Sequence, residues 1–246
     1  MENVYEVEYA GKPIRYSFRL PLTRYYFREY IRKIPEEGYD IRVSDELFGK
    51  GRAVLPDEMS DASVEYRLLI SLTIEKLLER DCCLFHSVAF VYEGRAWLLT
   101  APSGTGKTTQ FMNWQRAFPG EIEMICGDMP VLALRDGAVS VHSCSWCGKE
   151  NMGRKGLSAP LAGVVLLEQA ELNELQPMEP HDALYPFFAQ MLVHPETEEQ
   201  ILGLARIMDC MLAKYPLMRF RNLGDDASTA MLRDAIRRIG EERSRQ

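Results

Sequence analysis

The sequence predicts a mixed α/β fold, and three observations carry that expectation. A glycine-bearing loop at residues 101–108 stands between an apolar β-prone run and a helix-compatible segment. Apolar runs turn back on themselves at Glu93-Gly94 and at Asp136-Gly137, dipeptides suited to tight hairpins. Ala162 to Leu167 is continuously apolar, as strands covered on both faces are. Hairpins interleaved with a helical crossover imply a mixed sheet built on a βαβ unit, with flanking helices.

Along the chain, residues 1–58 read as a β-rich N-terminal extension packed on a core at 59–246. Its β-prone runs are Tyr5 to Tyr9, Ile14 to Phe18 and Tyr39 to Val43, with a polar helix-like piece at Arg24 to Ile34. From Ser60 the residues Val64, Leu68, Leu69, Leu72, Ile74, Leu77 and Leu78 recur at helical spacing, and Ser60 or Asp61 can cap that helix, which ends near Arg80. The stretch His86 to Thr100 forms the first hairpin and leads straight into the glycine-bearing loop. A helix follows from Gly106 to Phe118, stopped by Pro119-Gly120, and then a short strand at Ile122 to Cys126. The second hairpin joins Val131 to Leu134 with Val139 to His142. Helices are expected at Asp182 to Val193, Glu196 to Lys214 and Asp226 to Arg243, with a strand at Leu217 to Phe220.

Composition narrows the partners. Asp and Glu outnumber Lys and Arg by 36 to 29, a formal charge of -7, which argues against broad attraction to a nucleic-acid backbone. No apolar run approaches the length a membrane helix needs, and the N-terminus lacks a basic start followed by an apolar stretch, so a soluble cytoplasmic protein without membrane contact is expected. Its six cysteines fit free thiols in a reducing compartment. No repeat or low-complexity tract is present, and a homo-oligomer is compatible with all of this.

The loop Ala101-Pro-Ser103-Gly104-Thr105-Gly106-Lys107-Thr108-Thr109 satisfies the phosphate-binding pattern in its looser form, with Ala in the first place. Phosphate oxygens need converging N–H donors, and glycines let a backbone fold tightly enough to present them at a helix N-terminus. Lys107 is placed to reach the β- and γ-phosphates, and Thr108 to offer a hydroxyl to Mg2+. Chance alone produces this loose pattern in about 2 of 100 chains of similar length. Its position after a strand and before a helix favours a site for ATP or another nucleoside triphosphate over a glycine-rich surface turn.

If Glu93-Gly94 is a two-residue turn, the hairpin register carries His86 to a place opposite Ala101, at the entry of the loop. There it can meet phosphate, orient an acceptor or relay a proton; the bland alternative is a strand-end histidine bonded to a carbonyl. Asp128 follows the strand Ile122 to Cys126, whose end falls on the loop's edge of the sheet, so it can hold Mg2+ or take a proton; a solvated loop aspartate is the alternative. Asp136 reads as a turn residue only. Cys144 and Cys147, near His142, have the spacing of half a zinc site or of a redox pair, but no second pair matches for zinc. Lys149 and Arg154 can meet phosphate or solvent.

These residues together resemble the HPr kinase/phosphorylase superfamily, which shares its core with phosphoenolpyruvate carboxykinase. The resemblance rests on His86-Ser87, on the loop through Thr109 and on Gly127-Asp128. The segments Ser145-Trp-Cys-Gly-Lys-Glu150, Pro160-Leu161 and Leu167 to Asn173 are similar to small bacterial proteins of that kind, some of which accompany peptide-modification systems. It covers the chain from about Ser60 onward and implies the fold of an HPr kinase C-terminal domain. It also implies ATP- and Mg2+-dependent phosphorylation of a Ser or Thr hydroxyl on a peptide or protein. By position, Lys107 and Thr108 bind phosphate and metal, His86 matches a histidine near the reacting phosphate, and Asp128 matches the second of two adjacent carboxylates. Gly127 replaces the first, which weighs against phosphorylase activity. The family's larger N-terminal domain has no counterpart, which argues against HPr itself as substrate. A nucleotide-binding regulatory or scaffold module with little catalysis, and a small-molecule kinase, stay open beside the protein kinase.

Overall fold

The structure, a computed structural model, describes residues 4–34, 38–148, 152–191, 193 and 195–243. Its contacts divide the chain into two units, Met1–Arg80 with Val193–Gly203, and Asp81–Leu192 with Leu204–Gln246.

In the first unit β1 (Val4–Tyr9) and β2 (Lys12–Ser17) form an antiparallel hairpin about Ala10 and Gly11, both in the left-handed region. Strands β3 (Ile31–Lys33) and β4 (Ile41–Arg42) complete a four-stranded sheet of order β3-β1-β2-β4. The helix expected at Arg24 to Ile34 is instead a short helix, α1 (Pro21–Tyr26), followed by β3. Proline at its start pre-sets the helix, and the buried carboxylate of Glu65 accepts the main-chain N–H groups of Arg19 and Leu20 just ahead of it. Helix α2 (Asp45–Val54) was not foreseen, because Gly49 and Gly51 weaken its helical signal; Ser44 caps it. Helix α3 (Asp61–Leu78) starts at Ser60 as expected and belongs with these strands.

The second unit carries a nine-stranded mixed sheet among the described residues. The hairpin of β6 (Ser87–Tyr92) and β7 (Arg95–Thr100) has the expected register, Tyr92 opposite Arg95 and Ser87 opposite Thr100. Glu93 and Gly94 both have positive φ, the geometry that matches the twist of two paired strands. After α4 (Lys107–Ala117), β8 (Ile122–Cys126) runs antiparallel to β6 and hence parallel to β7. The expected βαβ unit therefore has its two strands in one direction but not as neighbours. The hairpin places β6 between them.

Strands β5 (Cys82–Leu84), β9 (Val131–Arg135) and β10 (Ala138–His142) lead to the long β11 (Ser158–Gln169). The first residues of β11 pair with β10, and Val164 to Leu166 pair with β7 on one side and with β13 (Leu217–Asn222) on the other. That strand is central and apolar, as its sequence requires. Strand β12 (Glu174–Pro177) adds to β13. Helices α5 (Pro180–Gln190), α6 (Glu198–Lys214) and α7 (Asp226–Arg243) complete the order. Phe111 and Trp114 of α4 and Leu232 and Ile236 of α7 pack on Phe90, Trp97, Leu99, Val165 and Phe220 in one buried cluster. That cluster fixes α4 against the sheet, and with it the loop that precedes α4. No helix among the described residues is long and apolar enough to cross a membrane.

Candidate functional site

Where β7 ends, the chain turns through Ala101 to Gly106 into α4. Gly104 and Gly106 sit at φ 81° and 105°, values that cost side-chain-bearing residues strain. Thr105 closes the turn by donating its hydroxyl to the Pro102 carbonyl at 2.8 Å. Gly106 stands at the N-cap of α4 and offers no side-chain acceptor, so the first-turn amides of the helix are left uncapped. An uncapped helix N-terminus carries about half a positive charge and suits an anion.

Lys107 is almost wholly buried, and its ammonium donates to the carbonyls of Ala101 at 2.8 Å and Pro102 at 3.2 Å. An ammonium has three donors, so one remains for a phosphate oxygen. Burial lowers the Lys107 pKa, and the carboxylate of Asp128 works against that shift. A cleft of about 380 Å³ opens here, and its wall includes His86, Ser103, Lys107, Thr108, Thr109 and Asp128. Gly104, Gly106, Gly127 and Gly148 line it as well. Of the loop residues singled out from sequence, Ala101 and Thr105 hold the turn and do not line the cleft.

His86 lies beside the loop entry, as the register requires. Its carbonyl accepts the Thr100 hydroxyl at 2.9 Å, and its Nε2 is 3.5 Å from Oδ1 of Asp128. Burial, and next the Lys107 ammonium, lower the His86 pKa; Gln190 and Asp128 oppose them. Asp128 follows β8, and its own carbonyl accepts the Ser87 N–H at 2.9 Å, which ties it to the start of β6. Thus β6, β7, β8 and α4 each deliver one part of the cleft to the same edge of the sheet.

Gly127 has a steric reason. A Cβ there would lie 3.1 Å from the Met152 carbonyl and 3.2 Å from that of Cys147, while its N–H already donates to Met152 O at 2.8 Å. A side chain at this position would require Met152 and Cys147 to give by a few tenths of an ångström, so the packing favours glycine beside Asp128. Behind it, Sγ of Cys126 lies 3.6 Å from Sγ of Cys147, and Cys144 donates to the Met129 carbonyl. All three are buried thiols, and burial pushes the Cys126 pKa well up. Among the described residues no group of three or more His, Cys, Asp or Glu side chains is arranged to hold a metal.

His142 bonds Ser140, and Arg154 pairs with Glu123 on β8. Lys149 falls outside the described residues. Asp136 is a turn residue at φ 50°, as expected. The residue that sequence reasoning missed is Gln190, whose amide meets the His86 ring from the end of α5. It lies 104 positions away in the chain, and no local pattern marks it. A larger hollow of about 620 Å³, walled by Leu175, Met178, Leu212 and Ile239 among others, is mainly apolar and shares no residue with the cleft.

No family model matches this chain, and no curated protein does. Among solved structures it is similar to that of the HPr(Ser) kinase/phosphatase from Coxiella burnetii, at 12% identity and a TM-score of 0.37, over 66% of this chain and 96% of that one. A likeness of that size carries neither fold nor activity across.

Proposed function

We propose that this chain is a kinase that transfers the γ-phosphoryl group of ATP, or of another nucleoside triphosphate, to a Ser or Thr hydroxyl of a peptide or protein. The observation that carries the reading is convergence. An uncapped helix N-terminus, the Lys107 ammonium, the Thr108 hydroxyl, His86 and Asp128 share one cleft. The residue pattern of the loop and its resemblance to HPr kinases support the same assignment.

The amides of Lys107, Thr108 and Thr109 and the loop at Gly104 bind the phosphates by hydrogen bonds, and the half-charge of α4 adds to them. Lys107 contributes its remaining donor at the reacting phosphate. Thr108 and Asp128 are an oxygen donor set that fits Mg2+, which commonly takes one or two protein ligands together with phosphate oxygens. Bound there, Mg2+ neutralises charge on those oxygens. Asp128 serves the metal or takes the acceptor's proton, and His86 assists it.

Single-turnover ATP consumption with a panel of Ser-containing peptides and proteins tests this. Wild type should phosphorylate at least one acceptor, and His86→Ala and Asp128→Asn should each lower the rate about 100-fold or more. The presence of glycine at 127, where a side chain would be crowded, gives the main competing reading its footing. Tight ATP binding with no transfer to any acceptor would make the chain a nucleotide-binding regulatory module instead.

A further inference from the structure

The end of α5 is joined to the cleft by one residue through two bonds. The carbonyl of Gln190 accepts the His86 main-chain N–H at 2.8 Å, and its Oε1 lies 2.9 Å from Nδ1 of the His86 ring. The first bond satisfies a carbonyl of the last turn of α5, which has no partner within the helix. The second is not needed for that purpose. It brings a buried amide onto one particular ring atom of a residue in the cleft wall.

An amide oxygen only accepts, so Nδ1 must donate, and in the neutral ring Nε2 then carries the lone pair. Nε2 is the atom that faces Asp128, with Oδ1 at 3.5 Å. Nε2 then presents only its lone pair, and a hydroxyl entering the cleft can donate its one proton to it. The His86 main chain is also held from its other side, because its carbonyl accepts the Thr100 hydroxyl at 2.9 Å. With the backbone fixed, the ring's remaining freedom is its rotation and its tautomer, and Gln190 constrains both.

We propose that Gln190 is a positioning residue: it holds His86 as the Nδ1–H tautomer, so that Nε2 accepts a hydrogen bond from the hydroxyl to be phosphorylated. The division of work follows. Gln190 orients the ring from behind, Nε2 aligns the acceptor hydroxyl and takes its proton as the O–P bond forms and the nucleoside diphosphate leaves, and Asp128 is left to the metal. This rests on the kinase reading for the identity of the hydroxyl, but the clamp itself does not.

The test therefore reads the ring directly. Long-range 15N–1H NMR of the full chain, labelled at histidine and assigned by the signals lost in His86→Gln, should show the Nδ1–H tautomer at His86. Gln190→Leu keeps the main-chain bond and removes the amide; His86 should become a tautomer mixture. The same variant should lower kcat up to about 100-fold, the scale of a small misplacement, with KM for ATP within about twofold. Gln190→Glu retains an acceptor oxygen and should restore the tautomer and most of the rate. An Nε2–H tautomer in the wild type overturns the proposal, and so does a folded Gln190→Leu protein with an unchanged ring. If Gln190→Leu does not fold, the wild-type spectrum and Gln190→Glu still decide. A tautomer that depends on Gln190 in a protein that phosphorylates nothing would remove the kinase reading and leave the clamp standing.

Discussion

Helices α3 and α4 begin in opposite ways. At α3 the side chain of Ser60, in extended backbone, accepts the Ser63 N–H at 3.2 Å, and Ser44 does the same for Leu47 at the start of α2. At α4 the N-cap is Gly106, at φ 105°, with no side chain to give. A glycine in place of a serine cap costs only a few tenths of a kcal/mol, so the omission at α4 is a small local cost. The side-chain caps of α2 and α3 satisfy first-turn donors within the chain. At α4 such donors are left facing a cleft, and the residues around it are those able to handle an anion.

The strongest way to break the contrast is to remove the cation from the uncapped end. Mg-ATP at 100 times its dissociation constant should stabilise wild type by about 2.7 kcal/mol, a rise in melting temperature of about 5 to 10 °C. Lys107→Ala should abolish most of that rise, and lower any turnover by about 100- to 1,000-fold. Differential scanning fluorimetry with and without EDTA reads the first effect. An undiminished ligand-induced shift in the variant would mean that α4 is not where the nucleotide sits.

How far the sequence revealed these two ends depends on the range of the interaction involved. The Ser60 cap was legible because a cap is local, and the His86 placement because two positive-φ residues at Glu93-Gly94 propagate one register along a whole hairpin. Asp128 was placed correctly for a partly mistaken reason. Strand β8 does run parallel to β7, but β6 lies between them, and no residue pattern near Cys126 reports which strand it will pair with. The same holds for β5 and β12, short edge additions whose partners lie far away in the chain. Gln190 and the approach of Cys126 to Cys147 are tertiary contacts with no periodicity behind them. Gly127 was legible as a departure from a pattern, but its cause, two carbonyls within 3.2 Å of where a Cβ would be, is visible only in three dimensions.

Gly106→Ala sharpens the contrast from the backbone side. A Cβ at Gly106 would meet nothing within 4 Å, so crowding plays no part and the penalty is conformational. Holding alanine at φ 105° should cost about 1 to 2 kcal/mol, measured as a lower urea midpoint at constant m. Relaxation of that strain rotates the amides of the loop, so ATP affinity should fall as well. Equal stability in the two proteins would show that the left-handed geometry is not required there.

Ser60→Ala is the counterpart at the capped end and the smallest effect expected. The serine is exposed and water can replace part of its bond, so the loss should be about 0.5 to 1 kcal/mol. The two ends can be read separately, because the three tryptophans, Trp97, Trp114 and Trp146, all lie in the second unit while circular dichroism reports the helices of both. Ser60→Ala should move the dichroism transition while leaving the Mg-ATP-induced shift seen by tryptophan fluorescence at its wild-type size. Should it reduce that shift as much as Gly106→Ala does, the capped and uncapped termini are not independent, and the division between a structural end and a binding end does not hold.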